Sequence, residues 1–253
     1  MSRDAPGPHP IDAPGTGERS WAAWPWLSAP PGAAFTELAR RVVAGAGSAV
    51  VVAAHPDDEV LGVGGMMSML AAAGTRLRLV AVTDGERSHR GHADPDGLAR
   101  RRTDETTAAL RALGAPAAEV IRLRLPDSAL AGREDELTAE LASLTGGFDA
   151  CFAPWDRDLH PDHEAAARAA RRASPTALYY YPVWMWHWAG PADPRVPWDH
   201  ALRIPLTPEA AAAKRAAVGC FASQVTDRGH GLGPVLPAEM IAHFTRTTEV
   251  LLQ

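Results

Sequence analysis

The chain has 253 residues, of which 46% are hydrophobic and 22% are charged, proportions that fit one globular domain with a substantial core. The net charge of −5 and the pI near 6.0 exclude the basic surface that is typical of nucleic-acid-binding proteins. No segment reaches the roughly 18 consecutive apolar residues of a membrane-spanning helix, and the Pro/Gly-rich N-terminus lacks the apolar core of a secretory signal. We therefore expect a cytoplasmic enzyme or binding protein, and the sequence leaves its oligomeric state open.

The first part of the chain, residues 1–30, is rich in proline and glycine and is expected to form an irregular arm. Three large side chains, Trp21, Trp24 and Trp26, are expected to attach the end of this arm to the rest of the protein. No internal repeat is visible further along. Residues 31–253 are therefore predicted to form a single domain.

Short apolar runs alternate with helix-like segments over this domain. The valine-rich run "SAVVVAA" at 48–54 is typical of a strand that is buried on both faces. Further strands are predicted at 76–85, 119–125, 148–154 and 177–184, and helices at 33–46, 60–73, 97–114, 133–147, 160–173 and 207–221. This alternation favours an α/β fold with a largely parallel sheet.

Polar clusters follow the first four predicted strands, each at the point where the strand ends. A turn needs one or two polar residues, whereas "HPDDE" at 55–59 supplies an imidazole and three carboxylates. The other clusters are "TDGE" at 83–86, "PDS" at 126–128 and "PWDRDLHPDH" at 154–163. Because ligands of parallel sheets bind beyond the carboxyl ends of the strands, we expect these clusters to form one site.

The two His-Pro-Asp sequences predict a metal site. His55 and Asp58 lie three residues apart at a strand-to-helix corner, and "HPDH" supplies His160 and His163. Imidazoles and a carboxylate suit Zn²⁺, and three protein ligands with an open position are typical of a catalytic site. The same donor set also binds Fe²⁺, so these residue types leave the identity of the metal open.

"AHPDDE" at 54–59, followed about one hundred residues later by "HPDH" at 160–163, resembles the PIG-L or LmbE-like de-N-acetylases. The resemblance extends over about residues 48–224 through "TDGE", "RRTDETTAALRALG", "LPDSAL" and "KRAAVGCFASQ". It implies a Rossmann-like three-layer αβα sandwich with the active site at the carboxyl ends of the strands. It also implies zinc-dependent removal of acetyl groups from N-acetylglucosaminyl substrates.

The resemblance assigns roles to five residues of the two motifs. His55, Asp58 and His163 would be the zinc ligands, and Asp57 would be the general base for the metal-bound water. His160, in its protonated form, would stabilise the substrate oxyanion and act as the acid. A base, a cation near the oxyanion and an acid for the departing amine are what amide hydrolysis requires.

Two further residues, Arg102 and Asp127, match positions that contact the sugar in relatives. From the residues alone, an arginine on an amphipathic helix such as Arg102 usually faces solvent or pairs with an acid, and Asp127 could equally form a turn. Sugar contact is therefore an expectation that depends on the resemblance.

Two acidic residues near the motifs are expected to support the site without contacting the substrate, and a third departs from the family pattern. Asp162 could orient His160, and Glu59 could support the first motif. Some relatives have a tyrosine two positions before the first histidine of the second motif, where this sequence has Asp158. We expect the help that this tyrosine gives to the oxyanion to be absent or to come from elsewhere.

The aromatic segment 179–188, "YYYPVWMWHW", could line a sugar site or pack in the core or an interface; packing is slightly favoured. The sequence predicts a zinc-dependent bacterial de-N-acetylase that acts on a small N-acetylated sugar or glycoconjugate. The alternatives are a metal-dependent hydrolase of another amide or ester, an Fe²⁺ oxygenase, and a non-catalytic relative that binds metal and sugar.

Overall fold

A seven-stranded sheet forms the centre of the computed structural model, which describes residues 11, 13–29, 46–89, 94–174, 177–228 and 233–253. The strands are β1 (Ser48–Ala53), β2 (Arg76–Ala81), β3 (Glu119–Arg122), β4 (Ala150–Pro154), β5 (Ala177–Tyr181), β6 (Ala201–Pro205) and β7 (Thr248–Leu252). The α-helices of the described residues are α1 (Glu18–Ala22), α2 (Pro25–Ser28), α3 (Asp58–Ala72), α4 (Pro95–Ala112), α5 (Glu134–Thr145), α6 (Pro161–Ala173), α7 (Met185–Trp188), α8 (Pro208–Gly219), α9 (Ala222–Val225) and α10 (Ala238–Phe244). Two 3₁₀ turns span Leu130–Gly132 and Trp198–His200.

The strand order is β3-β2-β1-β4-β5-β7-β6, and strands β1 to β5 run parallel. Strand β7 lies antiparallel between β5 and β6. The predicted α/β fold with a mostly parallel sheet is confirmed, and the five predicted strands are its parallel part. Strands β6 and β7 were not predicted.

Helices cover both faces of the sheet, because strand β1 is apolar on both sides. Along β1, Ala49, Val51 and Ala53 belong to one buried cluster. The intervening residues Val50 and Val52 belong to the other. Helices α3, α4 and α8 pack on the first face, and α5 and α6 pack on the second. The architecture is the expected three-layer αβα sandwich.

Helix α3 carries the end of the first motif and contains a break. Val63 has φ −135° and ψ 19°, which are not helical values. The Lys214 ammonium donates to the carbonyl of Leu61 on one side of the break. The Glu249 carboxylate accepts from Gly65 N and Met66 N on the other side. This buried ion pair therefore satisfies backbone groups that the break leaves without helical partners.

The N-terminal arm attaches to the domain through tryptophans, as expected. Trp21 is fully buried, and its indole N–H donates to the carbonyl of Trp186. Trp24 and Trp26 pack against the ring of Trp198. The predicted helix at 33–46 and the segments 1–10 and 30–45 lie outside the described residues, apart from residue 46. Within the described ranges, no helix is both long enough and apolar enough to cross a bilayer.

Candidate active site

The loops after β1, β2, β3 and β4 meet in one pocket beyond the carboxyl ends of the strands, so the predicted convergence of the polar clusters is confirmed. Gln224, Val235 and Leu236 close part of its rim. The pocket is lined by His55, Asp57, Asp58, Leu61, Arg87, Ser88, Arg102, Asp127, Ser128, His160, His163, Val183, Trp184, Gln224, Val235 and Leu236. Seven of the nine site residues named from the sequence are in this list; Asp162 and Glu59 lie behind it.

Of the three expected metal ligands, His55 and His163 face the carboxylate of the third, Asp58. Asp58 Oδ2 is 3.4 Å from His55 Nδ1, and Asp58 Oδ1 is 3.2 Å from His163 Nε2. Bonds of 2.0–2.1 Å at tetrahedral angles separate ligand atoms by about 3.3 Å. His163 Nε2 is buried and makes no hydrogen bond with the described residues. An orphaned imidazole nitrogen beside a carboxylate is the arrangement that a divalent cation fits.

Among the described residues, two groups of side chains bring potential ligand atoms together; both contain His55, and neither contains Asp58. One is His55 with His160 and His163, and the other is His55 with Asp127 and Asp162. In each group the ligand atoms lie within 4.8 Å of one another. His55 is therefore common to both groups. Asp58 faces His55 through Oδ2 and His163 through Oδ1, and its role as a metal ligand stays a prediction.

The carboxylates around His55 and His163 favour a positive charge on the two imidazole rings. Burial opposes protonation of His163, but the negative charges of Asp58 and Asp158 raise its pKa to about 9. Burial likewise opposes protonation of His55, yet hydrogen bonds to Asp127 and Asp162 raise its pKa well above the ordinary value. The site is thus built to hold protons on these rings or a cation between them.

Asp57 occupies a strained position at the start of helix α3. Its φ of 123° and ψ of −29° lie in a region that residues other than glycine rarely adopt. Strain of this kind costs of order 1–3 kcal/mol and is concentrated at functional sites. Burial raises the pKa of Asp57 to about 7, against the opposing charge of Arg102. A carboxyl group with this pKa can accept and release a proton near neutral pH.

Arg102 is buried beside Asp57 and is held by the protein. Its guanidinium donates to the carbonyls of Gly85 and Pro56, at 3.0 and 2.5 Å, and to Asp57 Oδ2 at 3.2 Å. Both terminal nitrogens thus donate to the protein, whereas Arg102 Nε makes no hydrogen bond with the described residues. The expected contact of Arg102 with a sugar stays a prediction. What the structure shows is a cation fixed against Asp57.

His160 is expected to be protonated, and this stays a prediction, although its buried position opposes a positive charge on the ring. Burial lowers the pKa of His160 to about 2, and the charges of His163 and His55 act in the same direction. Its ring lies 4.5 Å from the His163 ring and 4.9 Å from the His55 ring. A neutral imidazole retains one N–H donor, so His160 can offer a hydrogen bond to a ligand in the pocket.

Asp162 contacts His55, and the hypothesis that it orients His160 is wrong. Asp162 Oδ2 is 3.2 Å from His55 Nε2, and its carboxylate accepts from Ser128 N and Leu130 N. His160 caps helix α6, and Asp162 is the second residue of that helix. The Asp162 carboxylate is thus used by His55 and the loop after β3, whereas His160 Nδ1 makes no hydrogen bond with the described residues.

Glu59 supports the strained turn from behind. It is fully buried, and its Oε2 accepts from Asp57 N at 3.2 Å. Burial raises the pKa of Glu59 to about 8, and the charges of Asp57 and Asp58 add to this effect. Its position fits the indirect role expected from the sequence.

Asp127 lies at the pocket wall with its carboxylate bound to the surrounding loops. Asp127 accepts from Arg87 N at 2.8 Å and from Ser128 Oγ at 3.1 Å, and lies 3.4 Å from His55 Nε2. Burial opposes its ionisation, but the hydrogen bond and charge of His55 lower its pKa. Sugar contact by Asp127 stays a prediction.

Asp158 is the site residue whose role the sequence did not reveal. Its carboxylate is fully buried and lies 2.7 Å from His163 Nδ1. An acid five positions before the predicted ligand His163 was the only signal for Asp158 in the sequence.

The aromatic segment 179–188 contributes both to the core and to the pocket. Tyr181 packs in the core and donates to Val52 O, whereas Trp184 lines the pocket.

Residues 50–174 match the family model of PIG-L, described as GlcNAc-PI de-N-acetylase. This stretch includes both His-Pro-Asp motifs and the loops that converge on the pocket. The chain contains a PIG-L family domain. The resemblance drawn from the two motifs is thereby confirmed.

Curated relatives match parts of this chain. A 1D-myo-inositol 2-acetamido-2-deoxy-alpha-D-glucopyranoside deacetylase of Kineococcus radiotolerans is 44% identical over 68 residues, covering 25% of this chain and 19% of the relative. A deacetylase 2 of the same description from Catenulispora acidiphila is 32% identical over 157 residues, covering 51% and 52%. The matches thus span about a fifth and about half of the length of these relatives.

Solved structures share the fold. The zinc-inhibited form of teicoplanin deacetylase Orf2 superimposes with a TM-score of 0.54 and 18% identity, covering 69% of this chain and 84% of that chain. GalB, the 4-carboxy-2-hydroxymuconate hydratase of Pseudomonas putida, gives a TM-score of 0.50 and 22% identity, covering 70% and 79%. Because a deacetylase and a hydratase share it, the fold alone does not identify the reaction.

Proposed function

We propose that this chain is a metal-dependent hydrolase that removes the acetyl group from an N-acetylglucosamine-type sugar or sugar conjugate. The observation that carries the proposal is Asp57, a buried and strained carboxyl group between Arg102 and the ligand candidate Asp58. The PIG-L match includes all three residues. The relatives' description as deacetylases of an acetamido sugar attached to inositol supports the same reaction class.

The metal that we propose is Zn²⁺, held by His55, Asp58 and His163. Two imidazoles and a carboxylate, with the observed separations of 3.2 and 3.4 Å, suit a tetrahedral site with an open position. Fe²⁺ accepts the same donors and is the alternative ion. When bound, the ion would polarise the acetamide carbonyl and lower the pKa of a water molecule towards about 7.

Asp57 would move the proton. Hydrolysis forms a bond between the water oxygen and the acetyl carbon, and this step releases a proton that Asp57 can accept. The C–N bond then breaks, and the same proton passes from Asp57 to the amine nitrogen, so that acetic acid and a free amino sugar result. At neutral pH the acetic acid loses its remaining proton to the amine or to solvent and leaves as acetate. Arg102 would hold the Asp57 carboxylate in place during both transfers, since it bonds to Oδ2 and to the neighbouring carbonyl of Pro56.

His160 would stabilise the oxyanion as a neutral donor. The acid role implied for His160 needs a protonated imidazole, which burial and the nearby rings of His55 and His163 disfavour. One N–H aimed at the position of the developing charge is worth about 2.7–4 kcal/mol in comparable oxyanion holes. We therefore assign proton delivery to Asp57 and charge stabilisation to His160.

Acetate release from N-acetylglucosamine conjugates tests the proposal. Asp57→Asn should lower kcat by roughly 10²- to 10⁴-fold while the bound metal stays near one ion per chain. His55→Ala should lose the metal itself, and the exposed variant Asp135→Asn is the control. Full activity of Asp57→Asn would contradict the mechanism.

The same assay separates the alternative functions. An oxygenase would need O₂ and a reductant, whereas a deacetylase would release acetate without them. A binding protein would take up metal and sugar and release no acetate. Zinc should be titrated from below one equivalent, because one similar structure is described as a zinc-inhibited form.

A further inference from the structure

The carboxylate of Asp158 joins the proposed metal ligand His163 to the wall of the pocket. Asp158 is fully buried in the loop after β4. Its Oδ2 lies 2.7 Å from His163 Nδ1 and accepts from Trp184 N at 2.9 Å, and its Oδ1 accepts from Met185 N at 2.8 Å. Val183 N lies 3.2 and 3.3 Å from the two oxygens. One side chain thus receives donors from a helix and from the turn after β5.

On the His163 side, this contact selects the nitrogen that faces the pocket. A carboxylate beside Nδ1 favours a proton on that nitrogen. His163 Nε2 is then directed at Asp58 Oδ1, 3.2 Å away, in a geometry that makes no hydrogen bond. Since the His163 ring is fully buried, its orientation depends on this bond and on packing.

On the wall side, the same carboxylate holds the turn that presents Trp184. The Trp184 ring lies 6.3 Å from the His160 ring, with an angle of 17° between the two planes. The Trp188 indole N–H donates to the backbone carbonyl of Asp158 at 3.0 Å. The turn after β5 is therefore tied to Asp158 by both its side chain and its backbone.

We propose that Asp158 is a positioning residue that sets His163 Nε2 for the metal and Trp184 for the substrate. This inference rests on the proposed function, because it assigns a role within the same site. Both oxygens of Asp158 are used, because Oδ2 serves His163 and Trp184 and Oδ1 serves Met185.

Asp158→Asn is the most direct test, because it preserves the shape and removes the acceptor. Oδ1 faces the donor Met185 N, and Oδ2 faces the donors His163 Nδ1 and Trp184 N. The amide NH₂ would therefore meet a donor in either orientation. We expect the Zn²⁺ affinity to fall roughly 10- to 100-fold, measured by competition with a chromophoric chelator, and KM to rise as well.

Two further variants distinguish the effect of Asp158 on metal binding by His163 from its effect on the pocket wall at Trp184. Trp184→Ala should raise KM and leave the Zn²⁺ affinity unchanged, because it removes only the wall. Asp156→Asn should change neither value, since Asp156 lies in the same loop and contacts the surface residue Arg171 at 3.3 Å. Unchanged Zn²⁺ affinity in Asp158→Asn would overturn the inference, and failure of the wild type to bind metal or release acetate would overturn the proposed function.

Should Asp158→Asn not fold, ¹⁵N-histidine NMR of the wild-type chain with Zn²⁺ tests the same point. The His163 signals are assigned by comparison with His163→Gln. We expect a proton on Nδ1 and the metal on Nε2. A metal bond to Nδ1, or an Nδ1 without a proton, would overturn the inference.

Discussion

The buried pair Lys214–Glu249 is predicted to stabilise the break in α3, which follows the first motif of the proposed active site. The Nζ–Oε1 distance is 2.7 Å, and the two side chains are 3% and 2% exposed. Lys214→Met would leave the Glu249 carboxylate buried without its cation, and Leu61 O would lose its donor. Burial lowers the pKa of Lys214 although Glu249 opposes this, so the surroundings are costly for an unpaired charge.

Breaking a buried pair by removing one partner costs about 3–5 kcal/mol of the free energy of unfolding. Glu249 keeps two bonds, from Gly65 N at 2.7 Å and Met66 N at 2.8 Å, and these place the expected loss at the lower end, about 3 kcal/mol. The melting temperature would then fall by roughly 6–12 °C for a chain of this size.

Urea unfolding followed by circular dichroism measures this loss. Arg172→Met is the matched control, because Arg172 and Asp135 form a 2.8 Å ion pair with side chains 50% and 92% exposed. Removal of such a pair should cost less than about 1 kcal/mol. A loss for Lys214→Met no larger than that of the control would refute the reasoning.

Three further predictions concern packing, pH and metal. Gly62→Ala should cost about 1–3 kcal/mol in thermal unfolding, because its Cβ would lie 2.1 Å from the Tyr181 ring; an unchanged melting temperature would contradict this. Burial opposes ionisation of Glu18, but hydrogen bonds from His243 and Arg246 lower its pKa below 4.5. The stabilisation of the arm is thus complete above pH 4.5 and is lost as the pH falls through the lowered pKa, and Glu18→Gln should abolish this acid-dependent change in tryptophan fluorescence. Zn²⁺ at 100 times its Kd should stabilise the wild type by about 2.7 kcal/mol, and no shift in the melting temperature would contradict specific binding.

Local sequence patterns were sufficient to predict the parallel part of the fold and the meeting of the two motifs. Thr207 begins the predicted helix 207–221 and caps α8 by accepting from Ala210 N. Gly114 ends the predicted helix 97–114 and has a φ of 72°. These features depend on neighbours in the chain. The placement of His55 and His163 in one site follows from the rule that parallel strands end at one edge.

Contacts between distant segments could not be predicted in the same way. Asp158 reaches residues 183–185 only because β5 lies beside β4. Arg102 meets Asp57 only because α4 packs over the first loop. Strand β7 inserts between β5 and β6 from the end of the chain, and its five residues carry no signal for this partner choice.

An X-ray diffraction experiment at the zinc absorption edge tests the central claim most directly. Crystals of the zinc-loaded protein should give one anomalous peak per chain, bonded to His55, Asp58 and His163 at about 2.0–2.2 Å. A peak bonded instead to Asp127 and Asp162, or no peak in this pocket, would contradict the assignment of the metal site.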